Sequence, residues 1–326
     1  MNLIDLFDNL TIPDGNERTL NALAIPDYPN YRIAIDRDSN PVLLLSVNNG
    51  VKYSSLRNFK LKYLLLQQNV ECKISENGRT RFNTFTVITF TNTDRDLQEY
   101  FLRISETLIR TLGNRPNQQQ LLDSLNKFVE VFRSLSDIPT NTVHGLWAEL
   151  FVIENSRSPK TLMNYWHNNP EEKFDFNSGE EKIEVKSNSN FERIHTFSSE
   201  QLNPPLGTQV LIASVFVRHN STGTDIGQLI DHISAKIQND IQLIDKLNRI
   251  VCATLGNTLE QSIKLKFDYK IAQDSLLYYN SQDISKIEDI YIPNEVSEVK
   301  YKSDLSKIIP VDIQKLVSNR VLFDSL

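Results

Sequence analysis

Short apolar runs separated by turn formers dominate the first ninety residues. Residues 31–35 and 42–47 flank Asp36-Arg37-Asp38-Ser39-Asn40-Pro41, which predicts two strands joined by a turn. Residues 59–75 and 81–91 flank Glu76-Asn77-Gly78, and Asn-Gly is the favoured pair for a tight hairpin. The period then lengthens, predicting helices over 94–112 and 117–135. Gly113-Asn114-Arg115-Pro116 divides them, with glycine after one helix and proline before the next. Ile138-Pro139-Thr140 interrupts the pattern again and marks a boundary between a β-rich region with two helices, 1–138, and a second domain, 139–326.

The second domain alternates between the two periods. A helix is expected over 143–154, strands over 173–177 and 182–188, and an extended piece through Phe197. A buried strand follows over 209–218, then helices over 225–239 and 241–255. A hairpin-like stretch is expected over 263–279, a strand near 296–302 and a helix from 311 onward. This is a mixed α/β pattern with no internal repeat, not an up-and-down bundle.

Composition narrows the class. Hydrophobic content of 40% and charged content of 23% are those of a globular protein, so disorder is not expected. The opening residues place acids where a secretory signal needs bases, and the strongest apolar run, 210–217, is too short to span a bilayer. The two cysteines, Cys72 and Cys252, form no disulfide or zinc pattern, so a cytoplasmic location away from membranes is expected. A net charge of −6 argues against a chain that grips nucleic acid through a broad basic field.

Candidate chemistry lies in the middle of the chain. In a strand over Lys182-Ile183-Glu184-Val185-Lys186-Ser187, alternation sends Ile183 and Val185 to one face and Glu184 and Lys186 to the other. In Lys173-Phe174-Asp175-Phe176-Asn177, the two phenylalanines take the apolar face. A turn over 178–181 then sets Asp175 opposite Glu184. Opposed side chains start from Cβ atoms about 5 Å apart, close enough for two carboxylates to share an ion. Two carboxylates with the Val185 carbonyl nearby suit Mg²⁺, which keeps waters and substrate oxygens in its remaining positions. Lys186 can orient a water or offset developing charge.

Asp175 followed by Glu184-Val185-Lys186 resembles the D-x(n)-E-x-K pattern of the PD-(D/E)XK nucleases. The order helix–strand–strand–strand–helix–strand over 143–279 is similar to that family's core, although Phe174 stands where the family usually has proline. The resemblance covers the last two-thirds of the chain. It implies a restriction-endonuclease-like fold, a central mixed sheet flanked by helices, with the β-rich N-terminal region as a recognition or docking module. It also implies Mg²⁺-dependent hydrolysis of DNA, with Mn²⁺ able to substitute. Asp175, Glu184 and Val185 would hold the ion, and Lys186 would be catalytic. Glu149 would be a further acid from the preceding helix, at the edge of a Leu146–Leu150–Ile153 stripe. Gln201 would touch phosphate, while Lys173, Lys182, Arg193 and His195 complete a nucleic-acid contact set. The wider pattern from Gly145-Leu146-Trp147-Ala148-Glu149-Leu150 to Gln201-Leu202 resembles a bacterial branch found in restriction and phage-defence systems. Its implied partners are DNA and a methyltransferase or ATPase, and double-strand cutting would imply a homodimer.

Blander readings stand beside these. Acids and lysines alternate on many solvent-facing strands, and a rim glutamate is ordinary. Trp147 and Trp166 read as packing residues, and the histidines show no metal-ligand spacing, so zinc is not expected. An inactive nuclease fold serving as a DNA-binding or assembly subunit is the alternative, and a small-phosphoester hydrolase is a third. No Walker A, dinucleotide-binding glycine fingerprint or nucleophile elbow occurs.

Overall fold

The computed structural model describes residues 2–14, 19–46, 58–76, 79–114, 116–134, 143–169, 172–238, 240–314 and 321–326. The chain divides into two compact units, Met1–Ile138 and Pro139–Leu326.

The first unit runs α1 (Leu3–Asp8), β1 (Asn21–Ile25), β2 (Tyr28–Ile35), β3 (Pro41–Leu45), β4 (Phe59–Lys60), β5 (Leu64–Glu76), β6 (Arg79–Phe90), α2 (Arg95–Leu112) and α3 (Gln118–Ser134). Its six strands form one antiparallel sheet in the order β1-β2-β3-β6-β5-β4. The long β5–β6 hairpin follows the expected pairing; the Asn77-Gly78 tip lies outside the described residues. Asp94 caps α2 by accepting from the Leu97 N–H, and Gly113 ends it at φ +62°, a conformation that side chains disfavour. α2 packs a continuous apolar stripe, and Phe90, Phe101, Phe128 and Phe132 interlock at its centre.

The second unit runs α4 (Val143–Asn155), α5 (Pro159–Tyr165), β7 (Phe176–Asn177), β8 (Glu181–Asn188), β9 (Ile194–Ser198), α6 (Ser199–Leu202), β10 (Gln209–Phe216) and β11 (His219–Thr224). Then come α7 (Ile226–Lys236), α8 (Ile241–Leu255), α9 (Leu259–Ser262), α10 (Tyr269–Ser275), β12 (Leu277–Asn280) and β13 (Lys300–Asp304). A mixed sheet is ordered β12-β10-β8-β7. β8 and β10 are parallel, aligning Ile212 with Glu184 and Ser214 with Lys186, while β7 and β12 run antiparallel at the edges. One face carries a cluster of Phe174, Phe197, Leu202, Val210, Ile212 and Tyr279.

Four expectations change. α4 is buried on every side from Leu146 to Glu154, not along one stripe, because it lies inside the unit. The extended piece through Phe197 pairs with β13 and forms a separate two-stranded ribbon. Residues 263–279 form a turn, one helix and the start of a strand, not a hairpin: Asp268 caps α10 by accepting from the Ile271 N–H, and the chain enters a strand only at β12. Residues 311–314 are not helical, and 315–320 lie outside the described residues. No helix among the described residues is long and apolar enough to cross a membrane.

Candidate active site

The site is built where β7 stops. Phe176 pairs with Ile183 and Asn177 with Lys182, and the connecting turn closes through Ser178 N–H to Glu181 O at 3.0 Å, with Gly179 at φ +95°. The next register position sets Asp175 against Glu184. Asp175 lies just outside the strand, which is shorter than the expected 173–177. Its Oδ2 accepts from the Val185 N–H at 2.6 Å, a bond that a longer β7 would have supplied from its backbone. The N–H and C=O of one strand residue point to the same side, so the Val185 carbonyl also faces this open edge. Phe174 leaves the alternation: it packs with Phe197, and Lys182 Nζ lies 4.9 Å above its ring.

Glu184 and Lys186 share the opposite face from Ile183 and Val185, with Lys186 Nζ 2.7 Å from Glu184 Oε1. Glu184 Oε2 is buried and has no hydrogen-bond partner. Glu149 reaches the same place from α4. Its Oε2 accepts from Trp166 Nε1 at 2.8 Å and lies 2.9 Å from His167 Nε2. Donor atoms of Glu149, His167 and Asp175 all lie within 4.8 Å of one another.

Trp166 and His167 act as a brace. Trp166 forms an antiparallel bridge with Phe176, and the His167 N–H donates to Asp175 O at 2.8 Å. The segment therefore joins the helix acid to the hairpin acid. α8 secures it from behind: Lys246 Nζ donates to the carbonyls of Met163 (3.0 Å), Asn164 (3.3 Å) and Trp166, satisfying chain ends that α5 leaves open. Burial, and then Arg249, push that ammonium down to about 8.

Crowding governs the electrostatics. Burial, then Glu184 and Glu149, hold the Asp175 carboxyl well above the usual carboxylate range, while the Val185 N–H and Lys186 pull the other way. Glu184 is also raised, chiefly by burial and also by Glu149, against the pull of Lys186 and of the nearby Gln201 side chain.

The expected nucleic-acid contacts separate into two groups. Lys173 is exposed, its Nζ 3.5 Å from Glu200 Oε1. Gln201 completes the α6 capping box and donates to Lys173 O at 3.1 Å, at the rim of the carboxylates. Arg193 and His195 turn inward instead. Arg193 donates to Ser214 O (2.7 Å), Ser214 Oγ (2.8 Å) and Ser275 O, and buried His195 Nε2 meets Ser214 Oγ at 2.7 Å. Alternation along β9 exposes Ile194 and Thr196, so His195 and Phe197 must face the interior. Burial, then Lys186 and Arg193, push the His195 imidazole down to about 4, leaving it neutral.

A family model described as "Putative PD-(D/E)XK family member, (DUF4420)" matches residues 3–306. The chain belongs to this PD-(D/E)XK family. The match covers the mixed α/β fold, carries nuclease-like function at the family level, and includes the β-rich first unit that the sequence resemblance had left out. Neither the curated proteins nor the solved structures gave a match.

His167 is the residue that sequence reasoning missed, together with the second role of Trp166. His167 stands eighteen residues after Glu149 and eight before Asp175. The bridge between its neighbour Trp166 and Phe176 helps bring it to the site, and no local spacing encodes that bridge.

Proposed function

We propose that this chain is a divalent-metal-dependent nuclease that hydrolyses DNA phosphodiester bonds, with Mg²⁺ as its ion and Mn²⁺ able to replace it. The observation that carries the reading is the Asp175–Glu184–Lys186 arrangement at an open strand edge. Two carboxyls are forced together by hairpin register, an ammonium lies on one of them, and an orphaned buried oxygen remains. Such a donor set fits a hard divalent ion. Asp175, Glu184 and the Val185 carbonyl would hold it, with Glu149 beside them.

When bound, the ion supplies Lewis-acid stabilisation and lowers the pKa of a water. The chain's own groups do the rest. Lys186 donates to the attacking water or to a non-bridging phosphate oxygen. Trp166 and His167 keep Glu149 from swinging away. Gln201, Lys173 and Lys182 serve as phosphate contacts; the inward bonds of Arg193 and His195 leave those two out. A net charge of −6 favours a partner that presents the DNA, and a methyltransferase or ATPase of a restriction or phage-defence system would suit that role. Cutting both strands would call for two copies.

Cleavage of plasmid DNA by the purified chain, alone and with its genomic neighbours, tests this. Mg²⁺ and Mn²⁺ should support cutting, and Ca²⁺ should support binding without turnover. Undiminished cutting in excess chelator would overturn the metal assignment.

A further inference from the structure

The carboxylate pair does not account for His167. An imidazole sits beside two acids, Glu149 and Asp175, 4% exposed, with Nε2 against Glu149 Oε2. An unpartnered buried oxygen nearby, Glu184 Oε2, belongs to a carboxylate that interacts electrostatically with Glu149 and Asp175.

Spacing points the same way. In octahedral coordination with bonds of about 2.1 Å, neighbouring ligand atoms stand about 3.0 Å apart. The Glu149 oxygen and the His167 nitrogen are 2.9 Å apart, and the Asp175 donor is within 4.8 Å of both. Trp166 holds Glu149 Oε2 without using up that oxygen, since a carboxylate oxygen can accept an indole N–H and still face an ion.

Resting on the metal-site reading above, we propose that His167 is a direct nitrogen ligand. With Glu149 and Asp175 it forms a second ion position that shares Asp175 with the Asp175–Glu184 pair. One imidazole among carboxylates shifts selectivity. The all-oxygen position suits Mg²⁺ or Ca²⁺, whereas the mixed position favours a first-row transition ion such as Mn²⁺. The chain would then hold one position for a hard ion and a neighbouring one for a softer ion.

Pulsed electron paramagnetic resonance of the full chain loaded with Mn²⁺ tests this without relying on activity. Directly bound imidazole gives a nitrogen hyperfine coupling that changes when the protein is grown with ¹⁵N-labelled histidine. That coupling is expected in the wild type and should vanish in His167→Gln, whose amide can still donate to Glu149. By calorimetry, His167→Gln should weaken Mn²⁺ at one position by about tenfold or more, and Mg²⁺ much less. Mn²⁺ bound in an Asp175-dependent way but with no histidine coupling in the wild type would overturn the proposal. In that case His167 would only orient Glu149, and the nuclease reading would stand. Failure of the wild type to bind Mn²⁺ or Mg²⁺ at all would overturn both.

Discussion

Helix α4 and strand β8 each carry two buried glutamates, and within each element the two live in opposite circumstances. Glu154 on α4 accepts from Lys236 Nζ at 2.8 Å and from the Tyr269 hydroxyl. Glu181 on β8 accepts from the backbone N–H groups of Leu322 and Phe323 at 2.9 and 3.1 Å. Glu149 and Glu184, five and three residues away from them, crowd Asp175 instead, and Glu184 keeps one oxygen unpaired. All four are at most 6% exposed, so burial does not separate them. What separates them is whether the surroundings complete the carboxylate. Glu154 and Glu181 hold the fold together, whereas Glu184 is left incomplete beside Glu149 and Asp175 in a way that a divalent cation would mend.

The largest expected contrast is in catalysis. Asp175→Asn, Glu184→Gln and Lys186→Ala should each lower DNA cleavage by at least about 100-fold. Glu154→Gln should leave it near wild type in the same plasmid assay. Equal losses at Glu154 and Glu184 would erase the distinction between the two ends.

Stability should reverse the ranking. Glu181→Ala strands two buried N–H donors and should lower unfolding free energy by about 2–5 kcal/mol in urea titrations. Glu184→Gln should cost far less, because among the described residues its donor is the partly buried Lys186 ammonium, which water can reach.

Acidity gives a third, smaller test. A carboxyl whose pKa is raised on folding binds its proton more tightly in the folded chain than in the unfolded one. From the ordinary carboxylate range, about 4, up to the raised folded values, the unfolded state releases protons first, so rising pH favours unfolding. Asp175 and Glu184 both shift this way. In chelator, the thermal midpoint should therefore fall as pH rises through the window above the ordinary carboxylate range. The fall should be shallower in Asp175→Asn and should be reversed by a divalent ion. A midpoint that rises across this window in the wild type would show that the crowded acids do not dominate.

Period-two alternation made the Glu184–Lys186 face legible, and the register across 178–181 set Asp175 opposite Glu184 before any coordinates. The same rule misled further on. Ile263, Leu265, Phe267, Tyr269 and Ile271 alternate perfectly with polar residues, yet Asp268 caps a helix there, and Phe267 bridges to His219 and Thr224 instead of continuing a strand. Alternation reports a face only where the chain stays extended, and a capping aspartate can end that. For Arg193 and His195 the pattern correctly grouped two residues, but partner β13 decided that His195 faces inward. His167 was illegible for a different reason: its place depends on a bridge across ten residues of sequence and on Lys246 from another helix.

Trp166 offers the finest division between packing and positioning. Its ring is 1% exposed and bridges toward the hairpin, as a core residue would be, yet its indole N–H is one of two groups holding Glu149 Oε2. Trp166→Phe keeps an aromatic ring in place and deletes only that donor along with some volume. A hydrogen bond to a charged group contributes about 1.5–3 kcal/mol, which corresponds to roughly 10- to 150-fold in metal affinity if Glu149 binds the ion. His167 still holds the same oxygen, so the loss should fall at the lower end of that range. Calorimetric titration of Mn²⁺ into the variant, set against its thermal midpoint, separates the two roles. Weaker metal binding that greatly exceeds what the loss of folded fraction predicts would identify Trp166 as a positioning residue. Unchanged affinity in a merely less stable protein would return it to the core.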